Sequence, residues 1–195
     1  MSNQTLTLGG IASTTDPFPH FSVSEVFQEA FAEEILKWFE QTDRWFLTET
    51  NFYTQYEFSL LDDDLPGEIA SLLKASIVER IRTLLKQCFA VTDLDLVGLT
   101  AHKLLDGHRM GVHNDFIGKK ESHRLVIQLN RDWRQDKGGF LMLFNSKDPQ
   151  DVASIVQPFH NSAVGFEISK KSFHAVSTVH DFERYTLVYT FNDPN

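Results

Sequence analysis

The chain has 195 residues, 42% of them hydrophobic and 23% charged, and this composition is typical of a folded globular protein and excludes a wholly disordered one. Its net charge of −9 argues against nucleic acid as a partner, because contacts to phosphates need clustered Lys and Arg. No apolar run approaches the roughly 20 residues of a membrane-spanning helix, so we expect no membrane partner. The single cysteine, Cys88, and a start without a secretory signal predict a reducing, cytoplasmic location.

The first half of the chain predicts an irregular arm, two helices and one strand. We expect residues 1–21 to be irregular because the prolines of Asp-Pro-Phe-Pro favour extended or turn conformations. Apolar positions at helical spacing predict a helix over 28–40, and the aromatic- and Thr-rich run 45–60 predicts a strand. A second helix is predicted over 64–86, with Pro66 in its first turn.

From about residue 93 the pattern changes to short apolar segments separated by polar turns. Each segment has the length of a strand, and none keeps a helical period for long. Regularly spaced short strands predict a sandwich or barrel. We therefore expect a single domain over 1–195, in which a helical front with an extra strand (1–92) buttresses a β-rich core (93–195).

The motif His113-Asn114-Asp115 carries the first chemical signal. At the end of a strand, this spacing points the imidazole and the carboxylate the same way. One histidine from another strand would complete a set of two histidines and one carboxylate, which holds Fe(II) and leaves other positions open. The downstream candidates for that histidine are His123, His160 and His174.

His174 is the preferred third ligand because an Arg-x-Thr motif lies shortly after it in the chain. His174 belongs to a strand-like segment, and Arg184 and Thr186 belong to the next one, with Arg184 ten residues after His174. A guanidinium can hold the far carboxylate of a 2-oxo acid cosubstrate through two parallel hydrogen bonds. An HxD pair arises often by chance, but together with a distant histidine and Arg-x-Thr it is a strong combination.

These motifs resemble those of the iron- and 2-oxoglutarate-dependent dioxygenases, and specifically of their prolyl-hydroxylase-like branch. The similarity is carried by His113-x-Asp115, Leu129-Asn130, Gly138-Gly139, Phe173-His174-x-Val176, Arg184-Tyr185-Thr186 and the early segment Asp16–Phe21. The resemblance implies an α+β fold: a double-stranded β-helix, or cupin-like jelly roll, with buttressing N-terminal helices. It also implies Fe(II) as cofactor, 2-oxoglutarate and O2 as cosubstrates, and iron ligands at His113, Asp115 and His174.

Two positions depart from that branch. Many members have a tyrosine about ten residues before HxD, where this chain reads His102-Lys103-Leu104-Leu105, and others have a tyrosine where this chain has Gln128. Because an amide can still donate to a carboxylate, we expect Arg184 to anchor 2-oxoglutarate with help from Thr186 and Gln128.

A narrower resemblance concerns the reaction and its substrate. The stretches 107–115 and 123–130 look like those of small oxygenases associated with cyclophane-bearing ribosomal peptides. This implies hydroxylation of an unactivated C–H in a peptide or protein residue. The alternatives are a free amino acid or small metabolite as substrate, desaturation or ring closure at the same centre, and a non-catalytic jelly-roll binding module.

Three further residues are candidates for substrate contact, each with a structural alternative. His108 lines the substrate mouth, tunes an iron ligand from outside the ligand set, or simply occupies a turn. Arg124 alternates in phase with Val126 and Gln128, so on an inward face it needs an acidic partner, a cosubstrate or a substrate group. Trp133 lies in a loop and either selects substrate or forms a hydrophobic cap.

Overall fold

The structure is a computed structural model that describes residues 5–61, 64–118 and 120–195. Its two α-helices are α1 (Glu29–Gln41) and α2 (Ala75–Phe89), and short 3-10 helices cover Gly67–Leu73 and Gln135–Lys137. In chain order the strands are β1 (Leu6–Gly9), β2 (Ala12–Thr14), β3 (His20–Val23), β4 (Glu25–Phe27), β5 (Phe46–Glu49), β6 (Thr54–Ser59), β7 (Asp95–Leu104), β8 (Met110–His113), β9 (His123–Gln128), β10 (Leu141–Phe144), β11 (Val152–Val156), β12 (Ser162–Glu167), β13 (His174–Val176) and β14 (Arg184–Asn192).

Two antiparallel sheets pack face to face. The larger sheet has the order β2-β3-β12-β9-β14-β7-β6-β5, the smaller has the order β11-β10-β13-β8, and β1 pairs with β4 alone. Side chains from both sheets, such as Val164 and Phe166 from the larger and Leu141 and Leu143 from the smaller, share one buried cluster between the sheets. The predicted double-stranded β-helix is confirmed.

The helices cover the outer face of the larger sheet, as predicted. Helix α1 buries an apolar stripe that includes Ile35 and Phe39, and this stripe joins a cluster with Leu187 and Tyr189 of β14. Strand β14 is therefore buried on both faces. Because side chains alternate along a strand, Arg184, Thr186 and Val188 point to the opposite face, between the two sheets.

The expectation of an irregular arm over 1–21 is wrong for residues 5–21, and residues 1–4 lie outside the described part of the chain. Strands β1, β2 and β3 lie there, and β3 pairs with β12 while β2 pairs with β3. The prolines lie in the connection between β2 and β3, so they interrupt neither strand. A pairing between residues this far apart in sequence leaves no local signal.

Two predicted elements are each divided in the structure, and two observed strands were not predicted. The run 45–60 forms a hairpin of β5 and β6, not one strand. The helix predicted over 64–86 consists of a 3-10 helix and α2, separated at Lys74, whose backbone is extended. Strands β4 and β11 were not predicted. Within the described ranges, no helix is both long and apolar enough to cross a bilayer.

Candidate active site

The three predicted metal ligands meet at one end of the smaller sheet. Strands β8 and β13 are antiparallel neighbours that place His113 directly opposite His174, with their ring centroids 4.2 Å apart. The Asp115 carboxylate closes the group: Oδ1 lies 3.3 Å from His113 Nε2, and Oδ2 lies 3.2 Å from His174 Nε2. All three ligand atoms lie within 4.8 Å of one another.

Backbone carbonyls orient both imidazoles toward a common point. His113 Nδ1 lies 2.9 Å from the carbonyl oxygen of Gly111, and His174 Nδ1 lies 2.8 Å from that of Ser172. A carbonyl can only accept, so each Nδ1 carries the proton and each Nε2 keeps its lone pair. Two neutral nitrogens and a carboxylate fit Fe(II), and hydrogen bonds to the distal ring nitrogens are usual at such centres.

Asp115 follows the end of β8 in a left-handed backbone conformation with φ of 58°. Asp tolerates this region better than most residues. Burial by itself raises the pKa of Asp115, but the positive charge of Arg124, with Nη1 2.7 Å away, acts in the opposite direction, and that pKa lies well below its usual range. The carboxylate is therefore ionised at neutral pH.

A cavity between the sheets extends from this triad toward the start of β14. Its walls are largely apolar, with Leu104, Val126, Leu141, Phe166 and Val188 among them. Its polar side chains beyond the triad are Gln55, His102, Arg124, Arg184 and Thr186. Such a site, mostly apolar with a few converging polar groups, is typical of a small-molecule pocket.

Arg184 is a buried cation without a carboxylate partner among the described residues. Its side chain lines the cavity, the residue is 4% exposed, and Nε donates a 2.8 Å hydrogen bond to the carbonyl of Gly139. Burial lowers the pKa of Arg184 to about 10, so the guanidinium is charged at neutral pH. An unpaired charge is costly to bury, which favours an anionic ligand in this cavity.

Thr186 and Gln128 accompany Arg184 on the inner face of the larger sheet. Thr186 lines the cavity and lies directly opposite Gln128 on β9. Gln128 is fully buried, and its Nε2 has no hydrogen-bond partner within the described ranges. The structure therefore brings Arg184, Thr186 and Gln128 to neighbouring positions on β14 and β9.

His102 and Gln55 are cavity residues outside the predicted set of iron and cosubstrate ligands. His102 lies opposite Thr186, and its Nε2 is 4.0 Å from Glu57. Burial lowers the pKa of His102 to about 4 although Glu57 acts against this, so the imidazole is neutral. Its alternation with Leu104 along β7 was the available signal, whereas Gln55 lies in a run that predicted only a strand.

The substrate candidates lie in three different environments. His108 stacks on Tyr56 with ring centroids 6.0 Å apart and lines an open groove of about 700 Å³. Arg124 points into the cavity, as its alternation suggested, and its guanidinium contacts Asp115. Trp133 is 8% exposed and donates a 2.8 Å hydrogen bond to Gly138, and its ring packs against two phenylalanines. This placement favours the hydrophobic cap for Trp133.

The two other candidate histidines lie outside the triad. His123 packs against Phe89, with ring centroids 5.0 Å apart. His160 Nε2 lies 3.8 Å from Glu29 and 3.4 Å from Glu33 of α1. The choice of His174 is therefore supported by the assembled geometry.

Comparisons with known proteins agree with this site. Residues 99–191, which include the triad and Arg184, match the family model of the 2OG-Fe(II) oxygenase superfamily. No curated protein matches the sequence.

Among solved structures the chain is similar to a prolyl 4-hydroxylase from Pseudomonas putida, with a TM-score of 0.65 at 18% identity over 84% of each chain. It is also similar to an oxidoreductase of the 2OG-Fe(II) oxygenase family from Burkholderia pseudomallei, with a TM-score of 0.67 at 17% identity over 89% of this chain and 84% of that one. A third is a prolyl hydroxylase from Trichoplax adhaerens in complex with a hypoxia inducible factor peptide fragment, with a TM-score of 0.65 at 12% identity over 89% of this chain and 83% of that one.

The family match over residues 99–191, the jelly roll and the assembled triad agree on one kind of catalytic core. The catalytic core over residues 99–191 is that of a 2OG-Fe(II) oxygenase, with His113, Asp115 and His174 as its iron-binding triad. The enzyme uses Fe(II) and 2-oxoglutarate.

Proposed function

We propose that this oxygenase hydroxylates an unactivated C–H of a residue within a peptide or protein. The observation that carries the proposal is that the triad cavity adjoins an open groove. The triad cavity and the open groove of about 700 Å³ share Met110 and Val176 as lining residues. The triad cavity carries the charged and polar groups that a small anionic cosubstrate needs, and the wider groove suits an extended substrate.

We assign the binding of 2-oxoglutarate to Arg184 and Thr186, which line the triad cavity, and to Gln128, which lies opposite Thr186. The Arg184 guanidinium supplies the charge for the distal carboxylate, while the Thr186 hydroxyl and the Gln128 amide are donors on the same inner face. Bound iron, with 2-oxoglutarate and O2, supplies the oxidation of the target C–H. The apolar walls that include Leu104 and Val188 exclude water from that step.

At the open groove, the tip of the β5–β6 hairpin supports a peptide-binding role. The Gly111 amide donates a 2.7 Å hydrogen bond to the carbonyl of Phe52, so the tip is tied to β8 beside the triad. The Phe52 ring lies 5.5 Å from the His113 ring and is still 45% exposed. Phe116 and Ile117, just after Asp115, are exposed as well. Exposed apolar side chains beside an active centre suit the side chains of an extended peptide.

Other aromatic residues of the run 45–60 do not support this role. Trp45 and Phe58 pack against Phe39, with the Trp45 and Phe58 ring centroids only 4.7 Å apart. They join the helices to the larger sheet. The substrate-binding hypothesis therefore rests on the hairpin tip and on the groove, which His108 also lines.

The structure of the Trichoplax adhaerens prolyl hydroxylase contains a peptide fragment, which supports a peptide as substrate for the same fold. The resemblance to oxygenases of cyclophane-bearing peptides rests on the sequence stretches 107–115 and 123–130 alone. It nominates a ribosomally made peptide encoded beside this gene as the first substrate to try.

The test compares such a peptide with its single target amino acid. We expect turnover to fall sharply on truncation, because flanking residues contribute binding energy that is used in the transition state. Mass spectrometry of the product distinguishes gain of an oxygen atom from loss of hydrogen by desaturation or ring closure. Equal turnover of the free amino acid and the peptide would favour a small-metabolite substrate instead.

Two further measurements sharpen this test. Phe52→Ser should raise the KM for the peptide, whereas Phe46→Ser, which alters a 76% exposed residue of β5 outside the groove, should not. Release of succinate from 2-oxoglutarate without any substrate separates an active centre from a non-catalytic binding module. A binding module would release none.

A further inference from the structure

We infer that Arg124 is a positioning residue for the iron ligand Asp115. Arg124 Nη1 lies 2.7 Å from Asp115 Oδ2, although the two residues belong to different parts of the fold. Arg124 is on β9 in the middle of the larger sheet, and Asp115 follows β8 of the smaller sheet. The guanidinium therefore reaches across the space between the sheets to hold the metal-binding carboxylate. This inference rests on the iron triad and is independent of the substrate.

Little else holds the Asp115 carboxylate. Within the described ranges, its side-chain contacts are with the two ligand histidines and with Arg124. The histidines donate their Nδ1 protons to carbonyl groups, so their Nε2 atoms face the carboxylate as lone pairs. Arg124 is thus the hydrogen-bond donor that fixes the carboxylate. Asp115 also lies outside the strand, where no ladder of hydrogen bonds fixes its backbone.

Arg124 is itself well anchored. Its Nη2 lies 2.7 Å from Glu121 Oε2, and its backbone lies between β12 and β14, opposite Phe166 and Thr190. A planar guanidinium whose two terminal nitrogens contact different carboxylates, and whose backbone lies in the middle of a sheet, is a rigid support. Nη1 and Nη2 each contact a carboxylate, whereas Nε is buried without a hydrogen-bond partner among the described residues. The charge of Arg124 is therefore neutralised within the protein, and its contact with Asp115 argues for a role toward the metal.

The sharpest test measures metal binding, with no turnover involved. We expect Arg124→Met to weaken binding of Fe(II), or of Co(II) as a probe, by about 10- to 100-fold, the usual effect of losing a group that orients a metal ligand. Arg124→Lys keeps the charge and one donor, so it should restore part of the affinity. The visible spectrum of bound Co(II) should change in Arg124→Met because the spectrum reports how the carboxylate is oriented.

Arg82→Met is the matched control. Arg82 also pairs with a glutamate, Glu79, and its side chain is 24% exposed against 22% for Arg124, but it lies on α2 away from the site. It should leave metal affinity unchanged. If Arg124→Met binds metal as tightly as the unmodified protein, the inference is wrong. A raised KM for substrate with unaltered metal affinity and spectrum would instead make Arg124 a substrate-binding residue.

Discussion

Arg124 and Arg184 line the same cavity from neighbouring strands, and they differ in what they bind. The terminal nitrogens of Arg124 each lie 2.7 Å from a carboxylate. Arg184 donates Nε to the carbonyl of Gly139, and no carboxylate among the described residues pairs with it. One guanidinium is neutralised by the protein and the other is left for a ligand. This difference explains how two cations share a cavity that must bind one dianion in one orientation.

The first prediction concerns the third iron ligand. His174→Ala should abolish Fe(II) binding and turnover, because His174 Nε2 is one of the three converging ligand atoms. His160→Ala should leave both nearly intact, since His160 lies beside Glu29 and Glu33. Titration of each apo variant with Fe(II) or Co(II) checks this. Loss of metal from His160→Ala but not from His174→Ala would reverse the assignment.

The second prediction concerns the cosubstrate. Arg184→Met should weaken 2-oxoglutarate binding far more than iron binding. Truncating one partner of a buried, charge-assisted pair costs on the order of 2–5 kcal/mol, which is about 30- to several-thousand-fold in affinity. Equilibrium dialysis of 2-oxoglutarate with the iron-loaded variant measures it. An unchanged affinity would place the anchor on another residue, and Gln128→Ala would then be the next variant to examine.

The third prediction concerns Gly139, which supports Arg184. Gly139 has φ of +69°, and a Cβ there would approach Arg184 Cδ to 2.8 Å. Because Arg184 is buried and bonded to the Gly139 carbonyl, it has little room to move. Gly139→Ala should therefore weaken 2-oxoglutarate binding as well as stability.

Gly67→Ala is the control for that variant. Gly67 also has a positive φ, +48°, but a Cβ there would meet nothing within 4 Å. Both variants incur a left-handed backbone cost of roughly 1–2 kcal/mol. Only Gly139→Ala should change the Kd for 2-oxoglutarate. Equal effects of the two variants on that Kd would show that backbone strain alone is responsible.

The fourth prediction concerns acid stability. Burial lowers the pKa of His123 to about 4, although Asp193 acts in the opposite direction, whereas an unfolded chain has a histidine pKa of about 6.5. Between these values the unfolded state binds more protons, so the free energy of unfolding falls as pH drops from about 6.5 toward 4. The loss is at most about 3 kcal/mol for this residue.

His123→Leu removes that titration. The free energy of unfolding, measured by urea denaturation across this pH range, should depend less on pH in the variant. It should not become independent of pH, because burial also lowers the pKa of His102 to about 4. An equal pH dependence in both proteins would mean that His123 is accessible to protons in the folded state.

The sequence predicts the parts of the site that depend on local spacing. His113 needs only a strand end, and Arg184 with Thr186 needs only the alternation of one strand, whereas Asp115 reaches the triad through a left-handed backbone after β8. The contact between Arg124 and Asp115 could not be predicted. It depends on the packing of β9 of the larger sheet against the end of β8 of the smaller sheet and on the left-handed backbone at Asp115, and neither has a local signal. The strands near the start of the chain could not be predicted for a related reason. Strand β3 is stabilised by pairing with β12, which lies far along the chain.

Because the site is divided between two sheets, binding of iron and 2-oxoglutarate also affects the stability of the folded protein. The iron ligands come from the smaller sheet and Arg184 comes from the larger, so both ligand sites are complete only in the closed jelly roll. Ligands that bind the native state and not the unfolded chain stabilise it by mass action, in proportion to the logarithm of their concentration. Scarcity of iron or 2-oxoglutarate therefore lowers resistance to heat and proteolysis together with catalytic rate.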